Sequence, residues 1–188
     1  FDKLANAWGS LFAIIGSAWG IVFSFLLLTG SASLSFSGGA SIFPLLSMSF
    51  NVDKLSAFFI FVISLIALFC SIYGIGYVKH YYKKYNIGAL GFFYNLFIAG
   101  MLTVVSASNA LFFLVAWEIM SIASYFLVVY DRNDASNVKA GFLYLVMTHI
   151  GTAFIILAFI LFYKFTGSFD FASIKSGVGL IPLSIKNI

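Results

Sequence analysis

The sequence is poor in the residues that hold disulfides and redox cofactors. It contains one cysteine, Cys70, and two histidines, His80 and His149. A single cysteine excludes an intrachain disulfide and a cysteine-held cluster, and its place inside an apolar run predicts a small buried hydrophobic residue. Because His80 lies in a polar loop, two membrane helices cannot supply a histidine pair for haem. We therefore expect no cofactor, no metal and no redox chemistry in this chain.

Charged residues are also scarce. They make up 9% of the 188 residues, whereas 62% are hydrophobic and 20% are aromatic, and the mean hydropathy is +1.08. A soluble core of this length cannot hide so much apolar surface, so the composition predicts a membrane protein. The apolar runs lack the strict alternation of barrel strands, so we expect α-helices. Nucleic acid is not an expected partner.

Five apolar runs are long enough to cross a bilayer, for which a helix needs about 20 residues. The predicted spans are 7–29, 55–78, 88–107, 109–129 and 139–163. The predicted fold is all-α, a polytopic transmembrane helix bundle that forms a single domain over residues 1–188. Serines alternate with apolar residues around Gly38 and Gly39, which predicts a short hairpin after the first span. Because the sequence starts without methionine and stops after a polar stretch, we expect part of a longer protein.

The basic residues near the span ends predict the orientation. On one side of the bundle lie Lys3, Lys79, Lys83, Lys84, Arg132 and Lys139, and on the other lie Lys54, Lys164 and Lys175. The first side, with the basic loop 79–84, is expected to face the cytoplasm, and the hairpin is expected to face outward. The loop is either a simple interfacial anchor with a tyrosine belt or a specific surface for anionic lipid or a cytoplasmic partner.

Glu118 is the one carboxylate deep inside an apolar run. An ionisable side chain at the centre of a membrane helix costs roughly 2.5 to 3.5 kcal/mol, so it usually faces a protein interior or water and often marks an ion route. The short polar turn 130–138 makes the fourth and fifth spans antiparallel neighbours. Glu118 and His149 both lie about 17 Å from this turn. The two titratable groups are thus predicted to be level, near the middle of the membrane.

Hydroxyl side chains are predicted to flank both groups. Burial raises the pKa of a carboxyl group and a nearby cation lowers it, so such a site can bind and release a proton. The candidate proton path comprises Glu118, Ser121, Tyr125, Lys139, Thr148, His149 and Thr152. His149 alone can equally be a neutral, hydrogen-bonded core residue, and Glu118 can have a structural role. Asn95 is expected to form an interhelical hydrogen bond, and the Gly16 and Gly20 pair predicts close helix packing.

Longer stretches around these residues carry a family resemblance. WEIMSIASYFLVVY (residues 117–130) and KAGFLYLVMTHIGTAFI (residues 139–155), together with residues 51–59 and 93–118, resemble a family of proton-translocating membrane subunits. These are the antiporter-like subunits of respiratory complex I, energy-converting hydrogenases and multi-subunit cation/proton antiporters. The phrase VMTHIGTAF is most similar to the branch of hydrogenase-four component B and formate hydrogenlyase. The resemblance covers about residues 50–165.

The resemblance implies a fourteen-helix core, of which this chain is an N-terminal part that supplies the second to the sixth helix. Glu118 is then expected to belong to a central hydrophilic axis and to communicate with a lysine on the next helix. Quinone-linked relatives often have an arginine and then an aspartate in the helix after the glutamate. The presence of His149 and Thr152 there favours the hydrogenase branch and excludes a carboxylate role at position 152. The hairpin is expected to link neighbouring subunits.

These observations favour a transport function. The chain is expected to be a non-catalytic, proton-translocating subunit of a hydrogenase or NADH/quinone type complex, in the cytoplasmic membrane of a prokaryote. Glu118 takes up a proton from the cytoplasmic side, and His149 relays it or tunes the glutamate. Energy comes from a peripheral redox arm, and the other partners are further membrane subunits, lipids and protons. The alternatives are a structural membrane anchor without an ion path, a sodium-translocating antiporter subunit, and an unrelated secondary transporter, for which an inverted repeat is expected.

Overall fold

The computed structural model describes residues 1–30, 34–37, 48–177 and 179. Most of them form helices, in keeping with the predicted all-α bundle. In chain order the elements are α1 Asp2–Thr29, β1 Leu34–Ser37, β2 Ser49–Val52, α2 Lys54–Tyr77, α3 Ile87–Ser106, α4 Ala110–Val128, α5 Ala135–Thr166 and α6 Phe171–Gly177. A turn of 3-10 helix, Val78–Tyr81, continues α2. Five of the helices, α1 to α5, are long and apolar enough to cross a membrane, which confirms the predicted number of spans.

Polar side chains fix where the helices begin. The cap residues of α2, α3, α4 and α5 each accept a hydrogen bond from a backbone N–H group of the first turn, and they are Asp53, Asn86, Asn109 and Asp134. Such bonds satisfy donors that the helix itself leaves free. In the cap of α5, Oδ1 of Asp134 lies 2.8 Å from the N–H nitrogen of Ser136. α5 therefore starts at Ala135, before the predicted span.

α1 and α2 form the best-packed pair of the bundle. Their buried faces are rich in small residues, which lets the two backbones approach. A Cβ atom at Gly20 would lie 2.2 Å from Oγ of Ser64, whereas one at Gly16 would meet nothing within 4 Å. The predicted close contact is thus correct for Gly20 and wrong for Gly16, because Gly16 faces away from α2.

This difference gives a matched pair of variants. Gly20→Leu must displace Ser64 and Ile60 of α2 and is expected to destabilise the protein by about 1 to 3 kcal/mol, as overpacking does elsewhere. Gly16→Leu is expected to be neutral, since a side chain there enters open space. The measurement is thermal unfolding of the purified full-length protein in detergent. Equal melting temperatures for the two variants would contradict the packing at Gly20.

α3 is tied to α1 by an amide side chain. Nδ2 of Asn95 donates to the backbone carbonyls of Gly9, at 3.0 Å, and of Gly91, at 2.8 Å. A Cβ atom at Gly9 would lie 3.2 Å from Cα of Gly91, so the helices cross where both residues lack a side chain. The predicted interhelical hydrogen bond of Asn95 is confirmed.

Cys70 departs from its predicted burial. The residue is exposed. The buried face of α2 carries Ala57, Ile60, Ser64, Ala67 and Ser71. Cys70 directly precedes Ser71, and consecutive helical residues differ by about 100° in direction, so its side chain lies off that face.

The two strands are the described part of the predicted hairpin. They pair antiparallel, with Leu34 opposite Val52 and Phe36 opposite Phe50. Phe50 also makes an edge contact with Phe112 of α4, with ring centroids 5.0 Å apart. The predicted turn around Gly38 and Gly39 lies outside the described residues. The outward orientation of the hairpin and its role at a subunit contact stay predictions.

Candidate proton-transfer site

Two close contacts hold α4 and α5 side by side. Near the turn, Gly141 faces α4 so closely that a Cβ atom there would lie 2.2 Å from Cγ1 of Val129. Farther along, Nε1 of Trp117 donates a hydrogen bond to Oγ1 of Thr152, at 3.1 Å. The indole N–H group has no water to bond in the hydrocarbon layer, so a hydroxyl partner on the neighbouring helix satisfies it. Glu118 lies between these two contacts along α4.

Glu118 and His149 meet across the helix pair. Nε2 of His149 lies 3.5 Å from Oε2 of Glu118, and Nδ1 lies 2.8 Å from the backbone oxygen of Leu145. Because a carbonyl oxygen only accepts hydrogen bonds, Nδ1 carries a hydrogen. A neutral ring then presents the lone pair of Nε2 to the carboxyl group. The distance is longer than a direct hydrogen bond. A small side-chain rotation would bring the two atoms into hydrogen-bond range, or one water molecule would bridge them.

The pair lies on a partly open face of the chain. The side chain of Glu118 is 33% exposed and that of His149 is 52% exposed. The described residues leave both side chains partly uncovered, so the predicted burial of Glu118 and the alternative of a core histidine are not shown. The physical reason is that α5 contacts the bundle through one narrow stripe, in which Gly141 and Thr152 are its buried residues.

The threonines near His149 differ in what their hydroxyl groups do. Oγ1 of Thr152 donates to the carbonyl of Thr148 at 3.0 Å and accepts from Trp117, so it connects the two helices. Oγ1 of Thr148 lies 3.0 Å from the carbonyl oxygen of Tyr144 and 2.9 Å from that of Leu145 and bonds within its own helix. Thr152 thus fixes how the helices face each other, and Thr148 makes no such bridge.

Three further candidates lie on the same two helices. Ser121 is buried, one helical turn from Glu118. The ring of Tyr125 lies near Gly141, with Cε2 3.4 Å from a Cβ atom built there. Lys139 is exposed at the start of α5, ten residues before His149, or about 15 Å along the helix axis. The structure brings together Glu118 and His149, and it places Tyr125 and Lys139 towards the turn.

Sequence reasoning gave Trp117 no role of its own. Its hydrogen bond to Thr152 is the contact that fixes the rotation of α4 against α5 beside the pair. A signal was present, because an indole directly before an intramembrane carboxylate needs a polar partner. The partner itself requires the pairing of the helices, which a single sequence does not display.

A second polar group joins the α4–α5 turn to the loop before α3. The hydroxyl of Tyr85 donates to Oδ1 of Asp131, and Nδ2 of Asn133 donates to the same hydroxyl at 2.9 Å. The bond to Asp131 raises the pKa of Tyr85, and burial raises the pKa of Tyr130 to about 12. Hydrogen bonds from Ser136 lower the pKa of Asp134. At neutral pH both tyrosines are therefore protonated and Asp134 is ionised.

Metal-ligating side chains do not cluster in the part of the chain that the structure describes. No three histidine, cysteine, aspartate or glutamate residues there lie close enough to hold a metal ion. Glu118 and His149 form a pair of titratable groups, and two groups of this kind suit the transfer of a proton.

Two family matches cover more than half of the chain. The family described as "NADH:quinone oxidoreductase/Mrp antiporter, TM" matches residues 107–187, which include Glu118 and His149, and the family described as "NADH-Ubiquinone oxidoreductase (complex I), chain 5 N-terminus" matches residues 45–86. The chain belongs to this family of antiporter-like membrane subunits. The resemblance predicted from the sequence is thereby confirmed.

Individual antiporter-like relatives agree with this assignment. Hydrogenase-4 component B of Escherichia coli (strain K12) is 36% identical over 93% of this chain and 26% of its own length. Formate hydrogenlyase subunit 3 of the same organism is 28% identical over 97% of this chain and 28% of its own length. NADH-quinone oxidoreductase subunit L of Buchnera aphidicola subsp. Acyrthosiphon pisum (strain APS) is 32% identical over 69% of this chain and 21% of its own length. The chain spans about a quarter of the length of these relatives.

Solved structures share the fold. A chain of the membrane-bound sulfane sulfur reductase, an archaeal respiratory membrane complex, superposes with a TM-score of 0.74 at 17% identity, over 90% of this chain and 34% of that chain. A chain of the Mrp complex from Dietzia sp. DQ12-45-1b gives a TM-score of 0.69 at 19% identity, over 91% of this chain and 18% of that chain. At these identities the likeness concerns the fold alone.

Proposed function

We propose that this chain is part of a proton-translocating subunit of a multi-subunit oxidoreductase related to complex I and membrane-bound hydrogenases. The observation that carries the proposal is the contact between Glu118 of α4 and His149 of α5 at 3.5 Å. Both residues lie inside helices that are apolar and long enough to span a bilayer. Ionisable groups at such positions are costly and mark proton or ion routes.

The geometry supports transfer of a single proton between two named atoms. The carbonyl oxygen of Leu145 holds the hydrogen of Nδ1 on His149, so Nε2 is the free base. A protonated Glu118 gives its proton to Nε2, which leaves a carboxylate and an imidazolium 3.5 Å apart. The opposite charges stabilise each other, and return of the proton restores the neutral pair. No other bond forms or breaks.

The charge state of Glu118 sets the direction of this transfer. A cation that approaches the carboxyl group stabilises the carboxylate and so favours release of the proton. The family resemblance implies a lysine on a helix outside residues 1–188 for this role. Ser121, Tyr125, Thr148, Thr152 and Lys139 stay predicted members of the route, with Lys139 at its cytoplasmic end.

The setting of the subunit follows from the same proposal. The side with the basic loop 79–84 faces the cytoplasm of a prokaryote, across its inner membrane. Redox reactions in a peripheral arm supply the energy, and the cofactors for those reactions lie in partner subunits. The relatives named above belong to hydrogenase, formate hydrogenlyase and NADH-quinone oxidoreductase systems, which supports a multi-subunit setting.

Ion identity provides the first test. The full complex in sealed vesicles is expected to drive proton movement at the same rate with and without sodium, because one carboxylate and one imidazole form a proton-transfer pair rather than an oxygen cage for a cation. The measurement follows internal pH by a fluorescent indicator while redox turnover is recorded, first in potassium buffer and then with added sodium. Loss of proton movement in sodium-free buffer would overturn the assignment and favour a sodium-translocating subunit.

A further inference from the structure

One end of the bundle, the basic end, carries Lys79, Lys83 and Lys84, and these cations form no ion pair within the part of the chain that the structure describes. No described lysine or arginine forms an ion pair with a carboxylate. The carboxylates at this end are engaged with neutral donors instead. Asp2 accepts from the backbone N–H group of Lys83 at 2.8 Å, Asp131 from the hydroxyl of Tyr85, and Asp134 from the N–H group of Ser136. The lysines are therefore free to bind an external anion.

The loop is held in one conformation by α1. Lys83 has a φ angle of 62°, in the left-handed region that residues other than glycine rarely adopt. Asp2 stabilises this turn through the backbone of Lys83, and Nδ2 of Asn6 donates to the hydroxyl of Tyr82 at 2.9 Å. An unusual backbone conformation that the surrounding structure maintains often marks a functional position. Here it fixes where two consecutive lysines, Lys83 and Lys84, leave the membrane end of the bundle.

A column of tyrosine rings places these lysines at headgroup depth. Tyr73, Tyr77, Tyr81 and Tyr85 follow one another with ring centroids 5.7, 5.7 and 5.8 Å apart. Tyrosines are enriched where a membrane meets water, because the ring is apolar and the hydroxyl is polar. The phosphate groups of lipids lie in the same layer.

A cavity of about 330 Å³ lies directly beside this column, between the ends of α1, α2, α3 and α4. Tyr77 and Tyr81 belong to both the column and the cavity wall. On the α2 side the wall is open, because Cys70 is exposed and a Cβ atom at Gly74 would meet nothing within 4 Å. An acyl chain can therefore enter sideways from the bilayer.

The polar groups in the cavity wall suit such a chain. Asn6 and Ser71 are already hydrogen-bonded to protein atoms, so an apolar occupant leaves them satisfied. The buried hydroxyl of Tyr130 has no hydrogen-bond partner among the described residues and lines the same cavity, which leaves one donor for an ester oxygen. The carboxylate of Asp131, which also lines the cavity, disfavours the phosphate there and keeps it outside, on the lysines.

We propose that this end of the bundle is a binding site for an anionic phospholipid. Its phosphate group binds Lys79, Lys83 and Lys84, and one acyl chain occupies the cavity between the ends of α1, α2, α3 and α4. The chemistry is that of a phosphodiester with a long apolar tail, such as phosphatidylglycerol. A free phosphate ion lacks the tail, and a zwitterionic lipid lacks the net charge.

The test uses the purified full complex in detergent and phosphatidylglycerol with a photoreactive group in one acyl chain. Peptide mass spectrometry is expected to find cross-links on α2 near Cys70 and Gly74, several-fold more than with phosphatidylcholine that carries the same tail. Changing Lys79, Lys83 and Lys84 together to glutamine is expected to remove this several-fold preference, because the positive charges that attract the anionic headgroup are lost. The matched control changes Lys54, Lys164 and Lys175 to glutamine and should leave the labelling unchanged.

A second pair of variants tests the cavity independently of the charges. Gly74→Leu fills the open wall and is expected to reduce labelling by both lipids, whereas Gly16→Leu, which also enters open space, is the control.

If the triple variant does not assemble, a competition experiment on the wild type decides. Unlabelled phosphatidylglycerol must then displace the photoreactive lipid at lower concentrations than unlabelled phosphatidylcholine does. Equal labelling by the two lipids would overturn the proposal. A second result would also overturn it: the triple variant loses a peripheral subunit while its lipid labelling stays unchanged. The lysines would then bind a protein partner.

Discussion

Replacing Glu118 by glutamine is expected to reduce redox-driven proton movement by about a hundredfold or more, as loss of a group that gives and takes the proton does in acid–base chemistry. Glutamine has nearly the same shape as glutamate and cannot be protonated or ionised in the required range. Glu118 is the only glutamate in the sequence. No other carboxylate lies within α4 or α5, since Asp131 is in the turn between them and Asp134 caps the start of α5.

The measurement is acidification of sealed vesicles by the whole complex, with redox turnover recorded separately. Asp134→Asn is the matched control, because it makes the same carboxylate-to-amide change on the same helix pair and asparagine still caps a helix. We expect its proton movement to equal that of the wild type. Unchanged acidification by Glu118→Gln in an assembled complex would contradict a transport role and favour the structural membrane anchor.

The glutamine variant should assemble normally, for a reason visible in the helix contacts. The pairing of α4 and α5 depends on Gly141 against Val129 and on the hydrogen bond from Trp117 to Thr152. Neither contact involves Glu118. Loss of proton movement in this variant therefore reports the chemistry of the carboxyl group and not the loss of the helix pair.

Most of the fold was predictable because a few local rules decide it. Apolar length predicted the five spans, which the structure confirms. Counting residues from the turn also predicted that Glu118 and His149 lie at the same level. The start of α5 was predicted too late, because Ser136 and Asn137 were assigned to the turn although their backbone already belongs to the helix.

Burial was harder to predict than helix position. The helical repeat shows which residues share a face, but it does not show which neighbouring helix covers that face. Cys70 was expected to be buried and is exposed, and Glu118 was expected to be buried and is 33% exposed. The hydrogen bond between Trp117 and Thr152 joins residues 35 positions apart and depends on the same missing information.

Replacing His149 by glutamine is expected to slow proton movement by about tenfold or more, since a side chain that accepts a proton becomes one that does not. The pH dependence should change as well. Acid that protonates Nε2 removes the free base that faces Glu118, so the rate should fall on the acid side. In the glutamine variant this acid-side fall should disappear.

The control is His80→Gln, because His80 is the only other histidine and lies in the 3-10 helix after α2, outside the helix pair. We expect this variant to keep both the rate and the pH profile. The measurement is the initial rate of proton movement by the full complex in sealed vesicles, from acid to alkaline pH. An unchanged pH profile for His149→Gln would show that the imidazole of the wild type, held by the carbonyl oxygen of Leu145, has only a structural role. A changed profile with normal assembly would place the imidazole on the path of the proton, because a residue with only a packing role cannot remove a titration from the rate.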